Sequence, residues 1–319
     1  MSRPMAWLLA ALLLAPGADA ADSVEWTWRE PLTGWAAKRG FRLIEIGSGP
    51  YRVVITDETH RNAALAAAEA GAKAIAALEQ LTGGQAGFTA TGGVTAAYRS
   101  MYLPDEGAVD AWIDEARRCG LSQQPPGNDL AKTLHSLPGP GIKIVPVRWL
   151  VQIPRNCGTY DAVSMAIDAF YRRPEHTVRK APAWIREGLL TTLQSQLCGH
   201  ITHTTVAYEF TDRKHGGSWN AAVAKHLKTT GVGQRASTLM GLDLDGMSIE
   251  IYQQLYSFMA FTIEARKGVK LRKDEDPPML RLLQGTADGR TGEEVFADIF
   301  AVKEPALTRS WQAWALKQK

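Results

Sequence analysis

One stretch of the chain decides the predicted fold: Ala183-Trp184-Ile185-Arg186-Glu187-Gly188-Leu189-Leu190. It opens a helical pattern that begins near Pro182 and covers residues 183–197. A second helical pattern precedes it, over residues 160–172. Both belong to the second part of the chain, residues 159–319, where we expect mainly helices. The later helices are predicted at 249–266, 279–283, 292–300 and 304–316.

Residues 21–158 show a mixed pattern of strands and helices. Strands are predicted at 41–46 and 51–56, joined as a hairpin or strand pair through Gly47-Ser48-Gly49-Pro50. An alanine-rich helix over 62–81 follows, and its small side chains suggest close packing against these strands. We also expect a strand at 94–103, a helix at 106–118, a loop at 121–141, and a strand at 142–153 that Pro146 makes an edge or a broken strand.

The expected fold class is α+β, with an N-terminal strand-helix layer packed on a mainly helical half. The length allows one large domain or two closely packed ones. Residues 200–242 are rich in glycine, threonine and histidine, and we predict loops or a lid there.

The first twenty residues are typical of a cleavable export signal. Arg3 precedes an unbroken apolar run over residues 6–15, and Ala18-Asp19-Ala20 offers the small-x-small pattern that signal peptidase cuts. That run is too short for a membrane span, which needs about 20 apolar residues. We therefore expect a secreted or periplasmic protein that begins near Ala21 and has no membrane span after signal removal.

Charge limits the classes of binding partner, and the cysteine content limits the disulfides that can form. The formal net charge of +3 includes Arg3, so the mature chain is nearly balanced, and no basic cluster supports nucleic-acid binding. The three cysteines, Cys119, Cys157 and Cys198, would lie in an oxidising compartment. One disulfide with one remaining thiol is the simplest expectation, and the sequence leaves the pairing open. Neither partners nor oligomeric state are otherwise indicated.

The segment Trp184-x-x-Glu187-Gly188 resembles the second zinc-binding helix of gluzincin metallopeptidases. In that family the glutamate is the third metal ligand, and it follows a helix bearing His-Glu-x-x-His. The family interval, 187 − 168 = 19, places that motif on Ser164-Met165-Ala166-Ile167-Asp168, within a predicted helix. Ser164 and Asp168 stand where the histidines would be, and Met165 stands where the catalytic base would be.

The resemblance covers most of the mature chain and points to the secreted peptidase MA-like proteins of bacteria. It includes the early strand and alanine-rich helix, the helix pair, the segment Tyr252-Gln-Gln-Leu-Tyr256-Ser257-Phe258, and a last helix with Trp311 and Trp314. It implies a thermolysin-like, gluzincin-type helical half, with a cleft that contains Trp184, Glu187 and Gly188.

The residues present do not suit a catalytic zinc ion, so no cofactor is expected. Such a site needs three protein ligands and an open position, and serine is a poor ligand. Met165 cannot accept a proton, so a metal-bound water would have no base. Asp168 and Glu187 remain candidates for a hard cation such as Ca²⁺ or Mg²⁺, together with further oxygen ligands. Glu187 is alternatively a plain carboxylate, exposed or in the first turn of its helix.

Two further hypotheses stay open. An active zinc hydrolase with relocated ligands would use Glu187 with His200 and His203, and His215 lies near these in sequence. Tryptophans 184, 219, 311 and 314 either line a carbohydrate or peptide cleft or belong to the core. The sequence contains no Gly-x-Ser-x-Gly elbow and no phosphate loop. We therefore expect a catalytically inactive metallopeptidase-like protein that binds a peptide or cell-envelope partner.

Overall fold

The structure is a computed structural model of the chain. It describes residues 29–47, 49–84, 98–118, 142–144, 149–152, 158–171, 182–199, 201–204, 209–211, 218–231, 233–242, 248–268 and 275–318. The predicted export signal and the predicted loop at 121–141 lie outside these ranges.

The N-terminal part of the chain forms a mixed sheet of five described strands in the order β1-β2-β3-β5-β4. The three inner strands run parallel, and each edge strand is antiparallel to its neighbour. The predicted strand pair at 41–46 and 51–56 is confirmed, with Ile44 opposite Ile55. The strands are β1 (Ile44–Ile46), β2 (Tyr51–Ile55), β3 (Tyr98–Tyr102), β4 (Ile142–Ile144) and β5 (Trp149–Gln152).

Helix α1 (Arg29–Lys38), which the sequence patterns did not predict, precedes β1. Parallel pairing requires a crossover connection. Helix α2 (Arg61–Leu81) lies in the connection from β2 to β3, and α3 (Glu106–Arg118) lies in the connection from β3 to β5. The predicted packing of α2 against the strands is confirmed at Gly71. A Cβ atom there would lie 2.3 Å from Cγ of Tyr51, so only glycine fits. The fully buried Tyr51 hydroxyl forms a 2.6 Å hydrogen bond with Oγ of Ser100.

The rest of the chain is mainly helical, as predicted. For residues 200–242 we predicted loops or a lid. The described residues of this region instead contain an antiparallel strand pair and two helices. Ser218 caps the first of these helices by accepting from the N–H of Ala221, and Gly231 ends it with a positive φ. The elements are α4 (Gly158–Tyr171), α5 (Ala183–Cys198), β6 (Thr202–Thr204), β7 (Glu209–Thr211), α6 (Trp219–Thr230), α7 (Ala236–Met240), α8 (Ile249–Ala265), α9 (Pro278–Ala287), α10 (Gly292–Phe300) and α11 (Ala306–Ala315).

One hydrophobic core joins the two parts, from Val53 and Ile55 in the sheet to the last helix. Helix α2 packs against both α4 and α5, and α8 packs against α5. Phe258 on α8 lies at the centre of the helical part, with its ring centroid 5.4 Å from that of Phe296 and 5.6 Å from that of Trp311. The fold class is therefore α+β. Within the described ranges, no helix has the length and apolar character needed to cross a membrane.

Candidate functional site

Helices α4 and α5 are antiparallel neighbours. Nε2 of Gln194, in the last turns of α5, donates to the carbonyl oxygen of Tyr160 in the first turn of α4, over 3.4 Å. Beside this contact, the Thr159 hydroxyl hydrogen-bonds the thiol of Cys198. The end of α5 therefore lies against the start of α4.

This contact fixes the level of Glu187 along α4. Glu187 precedes Gln194 by seven residues, about 10 Å along a helix axis. The same distance along α4 from Tyr160 leads to Ile167, within the turn 164–168. Ala166 and Ile167 are buried, whereas Ser164 is only half-buried. Counted from this contact, Glu187 falls at the height of the turn that carries Ser164, Met165 and Asp168. The side chains of Met165 and Asp168 are outside the residues that the structure describes.

Glu187 is not an exposed carboxylate, so that alternative from the sequence is wrong. It follows the first turn of α5 and is 1% exposed. One carboxylate oxygen forms an ion pair with Nη1 of Arg186, whose side chain is 30% exposed. Adjacent residues of a helix do not face each other. The guanidinium of Arg186 must therefore fold back along α5 to reach its neighbour.

Tyr252 of α8 belongs to the same site. The pKa of its hydroxyl is raised to about 12, mainly by burial; the negative charge of Glu187 contributes to the rise, and the positive charge of Arg186 opposes it. Its ring packs in a small cluster with Ile201, Trp219 and Tyr256. The sequence patterns did not identify Arg186 or Tyr252 as site residues. Arg186 stands directly before the motif glutamate, and Tyr252 begins the segment 252–258 that is part of the resemblance.

Helix α8 also packs closely along α5. Gly188 lies against Met259, and the ring centroids of Trp184 and Phe258 are 5.8 Å apart. The three residues predicted to line a cleft, Trp184, Glu187 and Gly188, are all buried. Ser164 on α4 and Arg186 on α5 are instead partly exposed.

The described residues offer few metal ligands beside Glu187. Among the described residues, no group of three or more His, Cys, Asp or Glu side chains lies close enough to hold a metal ion. The charge of Glu187 is already balanced by Arg186, and Ser164 offers only a hydroxyl. His200 lies outside the described residues, and of His203 only the backbone, in β6, is described. A relocated site with these histidines stays a prediction.

The tryptophans belong mainly to the core. Trp184, Trp219 and Trp311 are buried and Trp314 is half-buried, so they do not offer the open aromatic face of a carbohydrate cleft. Nε1 of Trp311 donates to Oγ of Ser257 over 3.2 Å.

Cys198 is a free thiol at the end of α5. Burial raises its pKa to about 11, while the hydrogen bond from Thr159 lowers it. The predicted disulfide therefore does not include Cys198. Cys119 and Cys157 lie outside the described residues, so their pairing stays a prediction.

A second concave surface lies between α1 and α3, an open groove of about 500 Å³. Trp35 lines it and packs on the buried ring of Trp112, with the two ring centroids 5.3 Å apart. Its rim carries both signs of charge: Lys38, Arg39 and Arg118 against Asp110, Asp114 and Glu115. This mixture selects no ligand class by charge.

Comparison of the chain with protein-family models, with curated proteins and with solved structures gives no match.

Proposed function

We propose that this chain is a secreted, catalytically inactive relative of the gluzincin metallopeptidases that binds a peptide or cell-envelope partner. The observation that carries the proposal is the ion pair of Arg186 with the buried Glu187, at the level of the turn 164–168 of α4. Glu187 occupies the position of the third metal ligand in the resemblance, and a side-chain cation already neutralises it.

The chemistry of the neighbouring positions supports inactivity. A catalytic zinc ion requires three protein ligands, and imidazoles at positions 164 and 168 would supply two of them. Those positions hold Ser164 and Asp168. Met165 has no atom that accepts a proton, so water activation has no base.

The partner is expected to contact the accessible edge of the α4–α5 pair. Ser164 is half-buried there, and the Arg186 side chain is partly exposed, whereas the predicted cleft residues are covered. A large side chain at position 164 should therefore block binding without reaching the core.

The alternative function is an active zinc hydrolase that uses Glu187, His200 and His203. The proximity of these residues in sequence favours it, because His200 follows directly after α5.

Metal content separates the two functions. The mature protein would be purified from the periplasm without chelator or nickel resin, and its zinc measured by inductively coupled plasma mass spectrometry. We expect no stoichiometric zinc and no hydrolysis of a mixed peptide library. Near-stoichiometric zinc that is lost in the His200→Ala, His203→Ala double variant would establish the alternative instead.

Binding is tested separately on a peptide array. We expect captured peptides to be lost with Ser164→Trp and retained with Glu264→Gln, which changes an exposed residue of α8. Equal capture by both variants would move the binding surface away from this edge.

A further inference from the structure

We propose that Arg186 is a built-in counter-cation, which neutralises Glu187 where a metallopeptidase would hold a metal ion and thereby keeps divalent cations out. The exclusion of divalent cations rests on the proposed function. The neutralisation of Glu187 by Arg186 rests on the structure of α5 alone.

Glu187 requires a positive charge close by. A carboxylate that is 1% exposed has lost nearly all contact with water, and an ionised group in that position is strongly unfavourable unless it is paired. The guanidinium of Arg186 forms an ion pair with this carboxylate. The Tyr252 hydroxyl from α8, which also interacts with the charge of Glu187, carries no positive charge.

The side chain of Arg186 has an unusual direction for a helical residue that pairs with its neighbour. Helix geometry turns successive side chains about 100° apart, so an arginine usually points away from the residue that follows it. Here the guanidinium returns to the carboxylate, and only 30% of the side chain stays exposed. Because a guanidinium keeps its charge at every physiological pH, the compensation is permanent.

A permanent cation also opposes a metal ion. A divalent ion placed on Glu187 would meet the guanidinium at short range, in surroundings of low dielectric constant where repulsion between like charges is strong. Restoring ligands at positions 164 and 168 should therefore be insufficient for tight zinc binding while Arg186 remains.

A double-mutant cycle tests the counter-charge without any reference to metal. Arg186→Met, Glu187→Gln and the double variant would be compared by urea unfolding. In the presence of Glu187, we expect Arg186→Met to raise the unfolding equilibrium constant roughly 10- to 100-fold, because it removes the cation of a buried ion pair. With Glu187→Gln already present, the same change should have little effect, and Arg186→Lys should stay near the original protein.

The matched control is Arg281→Met, which breaks the half-exposed pair of Arg281 with Glu275. It should change the constant by less than about 5-fold, as for other solvated pairs. An equal effect of Arg186→Met with and without Glu187→Gln would overturn the proposal. If Arg186→Met alone does not fold, folding of the double variant supports the proposal, and failure of both variants counts against it.

Zinc affinity tests the exclusion of cations. The variant Ser164→His, Met165→Glu, Asp168→His would be titrated with zinc, with and without Arg186→Met. We expect removal of Arg186 to tighten binding by at least about 10-fold. Equal affinities would overturn the exclusion. If neither form binds zinc, both the exclusion of cations by Arg186 and the proposed alignment with the metallopeptidase motif are overturned. The double-mutant cycle would still test whether Arg186 neutralises Glu187.

Discussion

Gly188 on α5 lies directly against Met259 on α8: a Cβ atom at position 188 would be 2.9 Å from Cβ of Met259. The two helices approach closely because glycine has no side chain. On the same pair, the Thr192 hydroxyl donates to the carbonyl oxygen of Tyr256 over 3.4 Å. This contact holds the segment that carries Arg186 and Glu187 against the core.

Gly188→Ala should therefore destabilise the protein. The added methyl must displace Met259 or separate the helices, and overpacking of this kind costs about 1–3 kcal/mol. Urea unfolding monitored by circular dichroism measures the change. The control is Gly34→Ala in α1, where a Cβ atom meets nothing within 4 Å and alanine should be neutral or stabilise the helix. Equal stability of Gly188→Ala and the original protein would show that α5 and α8 are less closely packed.

The titration of Tyr252 reports on the charges of the candidate site. Its pKa is raised to about 12, mainly by burial; Glu187 contributes to this rise and Arg186 opposes it. We expect Glu187→Gln to lower this pKa and Arg186→Met to raise it. Carbon-13 NMR of labelled tyrosine Cζ, assigned with Tyr252→Phe, measures both shifts.

The control for this titration is Glu264→Gln, an exposed carboxylate farther along α8 that pairs with Lys267. It should leave the Tyr252 signal unchanged. The sign for stability follows from the raised pKa: the neutral hydroxyl stabilises the fold fully below its ordinary pKa, and this contribution is lost as pH rises towards 12. A Tyr252 signal that responds to none of the three variants would place its hydroxyl outside the site.

Cys198 should react slowly with alkylating reagents at neutral pH. The thiolate is the reactive form, and burial raises the pKa of this thiol to about 11. Labelling with iodoacetamide should accelerate as pH rises from 8 towards 10.5, and Thr159→Val should slow it because a hydrogen bond that favours the thiolate is lost. Peptide mass spectrometry at Cys198 gives the rate, with urea-unfolded protein as the reference. Labelling at pH 7 as fast as in urea would contradict the burial.

Local sequence signals predicted some helices whose first and last residues are marked by capping or turn residues. The helix at 106–118 agrees with α3 at both ends, and that at 292–300 agrees with α10, where Thr291 and Glu294 form a reciprocal capping box. Helix α6 was missed although Ser218 and Gly231 mark its ends, because the threonines and glycines around it suggested loops. The parallel pairing of β2 with β3 depends on a crossover that strand periodicity does not encode.

The two helices of the candidate site were predictable, and the electrostatics of the site were not. Helical patterns predicted α4 and α5, and the hydrogen bond from Gln194 to Tyr160 shows that these helices are neighbours. The pair of Arg186 with Glu187 could not be predicted, since neighbours on a helix point apart and only the tertiary surroundings turn the arginine back.

The shared core predicts that residues 21–158 and 159–319 unfold together. Helix α2 packs on both the sheet and α4, so neither part can lose structure without exposing the apolar surface of the other. Gly71→Ala, which forces a Cβ atom into the ring of Tyr51, and Gly188→Ala should therefore lower the temperature of one and the same calorimetric transition. Gly34→Ala is again the control. Two transitions, each moved by only one of these substitutions, would show instead that the chain is divided into independent domains.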